Sequence, residues 1–73
     1  MSYKVVSGFY PTETRAKTIL KKIPHIFSNP HIERARNGSW AVVAGEYDRQ
    51  DWALAAQKKL WEADMLGGIW LQS

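Results

Sequence analysis

No cysteine occurs in the 73 residues, so neither a disulfide framework nor a thiolate metal site can hold this chain together. No apolar run approaches the roughly 20 residues of a membrane span. The opening Met1-Ser2-Tyr3-Lys4 has no apolar signal region and no small-residue cleavage pattern after it. The two histidines, His25 and His31, are spaced as in no familiar metal motif, and their nearest carboxylate in sequence is Glu33. No Ser/His/Asp set, paired-acid site or phosphate loop is visible; Gly67-Gly68 follows a helical segment and does not open one. The expectation is a chain that is not an enzyme and holds no metal or cofactor.

What is present is enough for one core. Apolar residues make up 45% of the chain, with four Trp, three Tyr and two Phe to supply bulk. A chain of this length forms one domain near the lower size limit for independent stability, so packing must do the whole task. The formal charge of +3 permits anionic partners and demands none.

The strongest internal signal is a repetition. Moved forward by 37 positions, residues 3–23 lie on residues 40–60 without a gap, and seven pairs are identical: Val5/Val42, Val6/Val43, Gly8/Gly45, Tyr10/Tyr47, Ala16/Ala53, Lys21/Lys58 and Lys22/Lys59. Unrelated segments of that length would share roughly one or two. Two copies are too few for a solenoid. They imply a single domain over 1–73 with pseudo-twofold halves, about 3–36 and 40–73.

Each half reads as strand then helix. Residues 3–9 are rich in β-branched and aromatic types and end at Tyr10-Pro11. Tyr3, Val5, Ser7 and Phe9 share one face by alternation, and Lys4, Val6, Gly8 and Tyr10 the other. Gly8 can mark a bulge that puts Phe9 and Tyr10 out of step. Thr12 is placed to cap a helix whose apolar stripe is Ala16, Ile19, Leu20 and Ile23, closed by Pro24. Ile26 and Phe27 form a plug in the following loop. His31–Arg36 reads as a charged edge strand, and Asn37-Gly38 as a hairpin turn into a strand at Trp40–Gly45. Asp48 is placed to cap a second helix with Ala53, Ala56, Leu60 and Ala63 on its stripe, and Trp52 and Trp61 packing beside it. That helix runs to about Met65, and Ile69–Gln72 makes a last strand. The order is βαββαβ: an α+β, ferredoxin-like sandwich of a four-stranded antiparallel sheet with both helices on one face.

This order, with a Val-x-x-Gly-x-aromatic strand in each half and a helix carrying Ala with Leu or Ile, resembles the SPOR domain. The pattern runs from Tyr3-Lys4-Val5-Val6-Ser7-Gly8-Phe9-Tyr10 to Leu60-Trp61-Glu62-Ala63 and Ile69-Trp70-Leu71. The resemblance implies a module that binds bacterial peptidoglycan, preferring glycan strands stripped of stem peptides, on the open sheet face. It also implies the cell envelope if the chain is part of a longer exported protein; a complete 73-residue product would be cytoplasmic. Val6 stands where the family pattern has Gln, and Ala41 where it has Arg. Phe9 and Ile69 fall at contacting positions of that pattern.

The candidate ligand-binding residues are therefore Lys4, Val6, Phe9, Ala41, Val43 and Ile69 on the open face, with Arg34 and Arg36 on the edge strand. The arginines could grip carboxylates or phosphates, or could only protect the edge from aggregation. Val6, Ala41 and Val43 also support an alternative: a protein-protein or homodimer contact through an apolar sheet face. Nucleic acid is not expected, because the outward positions of the central strands are aliphatic where an RNA-binding sheet carries aromatics.

Overall fold

The computed structural model describes residues 2–24, 27 and 29–72. Its elements run β1 (Ser2–Tyr10), α1 (Glu13–Leu20), β2 (His31–Arg34), β3 (Trp40–Tyr47), α2 (Gln50–Glu62) and β4 (Gly68–Gln72). The strands form one sheet in the order β2-β3-β1-β4, and each neighbouring pair is antiparallel. Val5, Val42 and Ala44 from the sheet share one buried cluster with Ala16 of α1 and with Ala53, Ala56 and Leu60 of α2. Both helices therefore cover the same face, which is the expected α+β arrangement.

Each central strand carries one extra residue. In the β1–β3 ladder Val5 faces Gly45 and Val6 faces Val43, which leaves Ala44 unpaired; Phe9 then faces Ala41, so Ser7 and Gly8 stand against Val42 alone. Gly8 takes φ +122°, a conformation that side-chain-bearing residues rarely adopt. The bulge reverses the alternation beyond it. Tyr10 packs on the helix-side core, and Phe9 turns to the open face beside the Trp70 ring.

The Gly-x-Tyr repeat has a local cause. A Cβ on Gly45 would lie 2.9 Å from the Tyr47 hydroxyl, and one on Gly8 would lie 3.0 Å from that of Tyr10. In each copy the tyrosine ring folds back over the glycine two residues before it. Tyr10 also donates from its hydroxyl to the Ser7 carbonyl at 3.0 Å. Burial raises the pKa of the Tyr47 phenol, as befits a ring held at the edge of the core.

Thr12 caps α1, its hydroxyl accepting from the Arg15 N–H at 3.3 Å. The α-helix stops at Leu20, three residues before the end of the apolar stripe. Lys22 and Ile23 instead donate to Ile19 and Leu20 in a tightened turn, which still buries Ile23. Phe27 is buried in the core as a plug; Ile26 and His25 lie outside the described residues.

The second half departs from expectation in three places. Arg49 occupies the N-cap of α2 in place of Asp48, because its carbonyl accepts the first helical bond, from Ala53; the negative charge of the first turn comes from Asp51. Trp52 and Trp61 do not pack onto the sheet and are 52% and 56% exposed. The contact stripe of Ala53, Ala56 and Leu60 is narrow, so Trp52 lies under the Arg49 guanidinium while Trp61 donates its indole N–H to the Gly67 carbonyl. Finally, α2 stops at Glu62 and leaves Ala63 exposed at its C-cap. Asp64 turns to φ 63°, Met65 donates to the Leu60 carbonyl and Asp64 to that of Trp61. These two bonds make a Schellman motif.

Candidate functional site

The helices leave the other face of the sheet open, and its make-up follows from register. Lys4 pairs with Trp70 across β1 and β4, while His31 pairs with Val43 and Glu33 with Ala41 across β2 and β3. Val6, Ala41, Val43 and the Trp70 ring form one cluster there. Lys4, Glu33, His31 and Phe9 complete the face.

The expected apolar patch is not exposed at its aliphatic positions. Val6 is 4% exposed, and Ala41 and Val43 are fully buried, although no helix covers them. Their cover is built from side chains. The Lys4 ammonium meets the Glu33 carboxylate at 2.6 Å, yet Lys4 is on β1 and Glu33 on β2, with β3 between them. Two strand spacings are about 9–10 Å, which the two extended side chains together can span. The bridge therefore passes over β3 and roofs its two small apolar residues, with the lysine stem as part of the roof. The Trp70 ring closes the other side, its centroid 5.3 Å from the same ammonium. Val6, Ala41 and Val43 are thus beneath the surface, and the exposed apolar area of this face includes Phe9 instead.

The second carboxylate oxygen of Glu33 lies 2.7 Å from Nε2 of His31, whose Nδ1 lies 2.7 Å from the Asn29 carbonyl. Protonated on both nitrogens, the ring donates to both acceptors; a neutral ring can donate to only one. Burial acts to raise the Glu33 pKa, but the hydrogen bonds from Lys4 and His31 and their charges outweigh it and hold the carboxyl below its ordinary 4.5.

Between β4 and the β2–β3 turn lies a shallow groove of about 640 Å³, lined by Phe9, Glu33, Arg34, Ala35, Arg36, Asn37, Trp70 and Leu71. Phe9 and Trp70 meet edge to face there, with centroids 5.4 Å apart and planes at 79°. The turn itself is a three-residue loop. Ala35 donates to the Ser39 carbonyl, Gly38 donates to that of Ala35, and Gly38 sits at φ 87°, so the expected Asn37-Gly38 hairpin is present with one residue more than a tight two-residue turn.

Of the eight candidate residues, the structure gathers Lys4, Phe9 and Arg36 around this face. Ile69 goes to the opposite side: it pairs with Val5 and packs on the helix-side core, so Trp70 takes the outward place on β4. Arg34 pairs with Trp40 and holds its guanidinium 4.9 Å from that ring, which packs on the helix-side core. Arg36 lies beyond the end of β2, in the turn. Glu33, His31 and Trp70 were not among the candidates. The charged parity of His31 and Glu33, opposite to Ile32, was the available signal for the first two.

Among the described residues no three His, Cys, Asp or Glu side chains gather as metal ligands, and no helix is long and apolar enough to cross a membrane.

No family model and no curated protein matches the chain. Among solved structures, the solution structure of the peptidoglycan-binding domain of the B. subtilis cell wall lytic enzyme CwlC aligns with a TM-score of 0.84. The alignment covers 99% of this chain and 90% of that one, at 18% identity. The two share a fold.

Proposed function

We propose that this chain is a non-catalytic module that binds peptidoglycan, with a glycan strand lying on the open face of the sheet. The observation that carries the reading is the Phe9–Trp70 pair, set in a groove between β4 and the β2–β3 turn on the face that the helices leave free. Aromatic rings offer flat apolar surface to the C–H faces of sugars, and the groups around them supply direction. Arg36 and Asn37 can donate to hydroxyl and acetamido oxygens. The fold shared with the CwlC domain and the SPOR-like strand pattern both support the reading. Preference for strands stripped of stem peptides belongs to the proposal, and the compartment it implies is the cell envelope.

Co-sedimentation with purified sacculi is the test. The protein is expected to pellet with sacculi, and more strongly after an amidase has removed the stem peptides. Protein that stays in the supernatant in both cases refutes the proposal.

A further inference from the structure

The polar groups at the turn end of the groove are unequal in what they leave free. Glu33, the one acid in its lining, is already held by Lys4 at 2.6 Å and by His31 at 2.7 Å. Arg34 also lines the groove, but its guanidinium lies over the Trp40 ring, 4.9 Å from its centroid. Asn37 commits its Oδ1 to the Ser39 N–H at 3.0 Å and the Ser39 hydroxyl at 2.6 Å, which leaves its Nδ2 as a donor. Arg36 lines the groove, is exposed, and belongs to none of the ion pairs among the described residues. The uncommitted groups are therefore donors, and one is a full positive charge. Such an end suits an anionic acceptor better than a neutral hydroxyl.

Resting on the peptidoglycan reading, we infer that Arg36 is the residue that selects stripped glycan, by pairing with the free lactyl carboxylate of N-acetylmuramic acid. In an intact strand that carboxyl is the amide that begins the stem peptide, and it carries no charge. Once the amide is hydrolysed, a carboxylate stands in its place. A guanidinium meets a carboxylate through two parallel N–H···O bonds, and an amide offers it one neutral oxygen. Asn37 adds a second donor beside it. Selection of stripped strands then comes from a charge recognised at the turn, with the Phe9–Trp70 pair holding the sugar without regard to that charge.

The experiment compares two soluble ligands of equal length: stripped glycan strands, and chitooligosaccharides, which have the same backbone linkage and acetamido groups but no lactyl carboxylate. Each is titrated into the wild-type chain, Arg36→Gln and Arg36→Lys by calorimetry at low and high salt, with circular dichroism to verify the fold. The wild type is expected to prefer the stripped strand about tenfold, the scale of one charge-assisted contact, and to lose part of that preference in salt. Arg36→Gln is expected to erase the preference, and Arg36→Lys, which keeps the charge without the planar fork, to fall between. A preference that survives in Arg36→Gln, or a wild type that binds both ligands equally, overturns the role of Arg36 and leaves the glycan reading standing. A wild type that binds neither ligand overturns both.

Discussion

Replacing Gly45 and Gly8 by alanine, one at a time, separates two costs that the repeated Gly-x-Tyr motif combines. A methyl group at Gly45 would meet the Tyr47 ring at 2.9, 3.1 and 3.2 Å, and one at Gly8 would meet the Tyr10 ring at 3.0, 3.2 and 3.2 Å. The steric demand is the same at both sites to within a tenth of an ångström. Only Gly8 adds a backbone conformation, φ +122°, that alanine rarely adopts. Displacing a ring packed on the core costs about 1–2 kcal/mol by analogy with other overpacked sites. The strained backbone adds about 1–3 kcal/mol. Gly45→Ala should therefore cost about 1–2 kcal/mol and Gly8→Ala about 2–5 kcal/mol, from the same two principles. Urea unfolding followed by tryptophan fluorescence gives both numbers, and in a domain of this size each kcal/mol moves the Tm by about 4–8 °C. Combining Gly45→Ala with Tyr47→Leu removes the colliding end of the ring, and the alanine should then cost less than about 0.5 kcal/mol, as at other unencumbered sites. Equal costs at the two glycines, or no relief from Tyr47→Leu, would refute this account of the motif.

Three further substitutions probe other parts of the fold. The Glu33 carboxyl has its pKa lowered in the folded chain, so its contribution to stability is complete above the ordinary value of 4.5 and is lost as pH falls through the lower folded value. Urea midpoints at pH 6 and pH 3 should thus fall more steeply in the wild type than in Glu33→Gln, and parallel falls would remove the roof its energetic role. Asp64→Gly should stabilise by roughly 0.5–1 kcal/mol, since glycine takes the left-handed position at φ 63° freely and loses a negative charge from the helix C-terminus; calorimetry showing a lower Tm would contradict it. Ser7 is 1% exposed and its hydroxyl has no partner among the described residues, while its counterpart in the second half is the fully buried Ala44. Ser7→Ala should be neutral or stabilising by up to about 1 kcal/mol in chemical denaturation, and a clear loss would mean that the hydroxyl is bonded.

Most of the scaffold was legible because local patterns agree with one another. The repeated Val-Val-x-Gly-x-Tyr strand, the Thr12 cap, the Ala16–Ile23 stripe and Asn37-Gly38 each have a short-range cause, and Gly8 advertised the bulge that turned Phe9 outward. The faces of short or singly apolar segments were harder. Ile69 and Trp70 are adjacent apolar residues on a five-residue strand, and only the pairing of Val5 with Ile69 and of Lys4 with Trp70 decides which one looks out. Arg34 shares parity with Ile32, and its position over Trp40 follows from a register that composition does not encode. Trp52 and Trp61 stand next to a stripe of alanines, where their size suggested burial and the close approach of helix to sheet prevents it.

The Lys4–Glu33 bridge was the least legible feature, joining residues 29 apart in sequence on strands that do not touch. It changes the question that Val6 and Ala41 pose. On the central strands those residues stand where a SPOR-like sheet would present glutamine and arginine, and a ligand resting on them would meet no directional partner. They lie under the roof, however, and a ligand on this face touches the roof. In the proposed complex it would meet Trp70 and Phe9 for stacking, and Arg36 and Asn37 for donating. On the proposed reading, polar recognition has moved from the central strands to the β2 edge and its turn, and the small residues beneath serve it by leaving room for a lysine to cross.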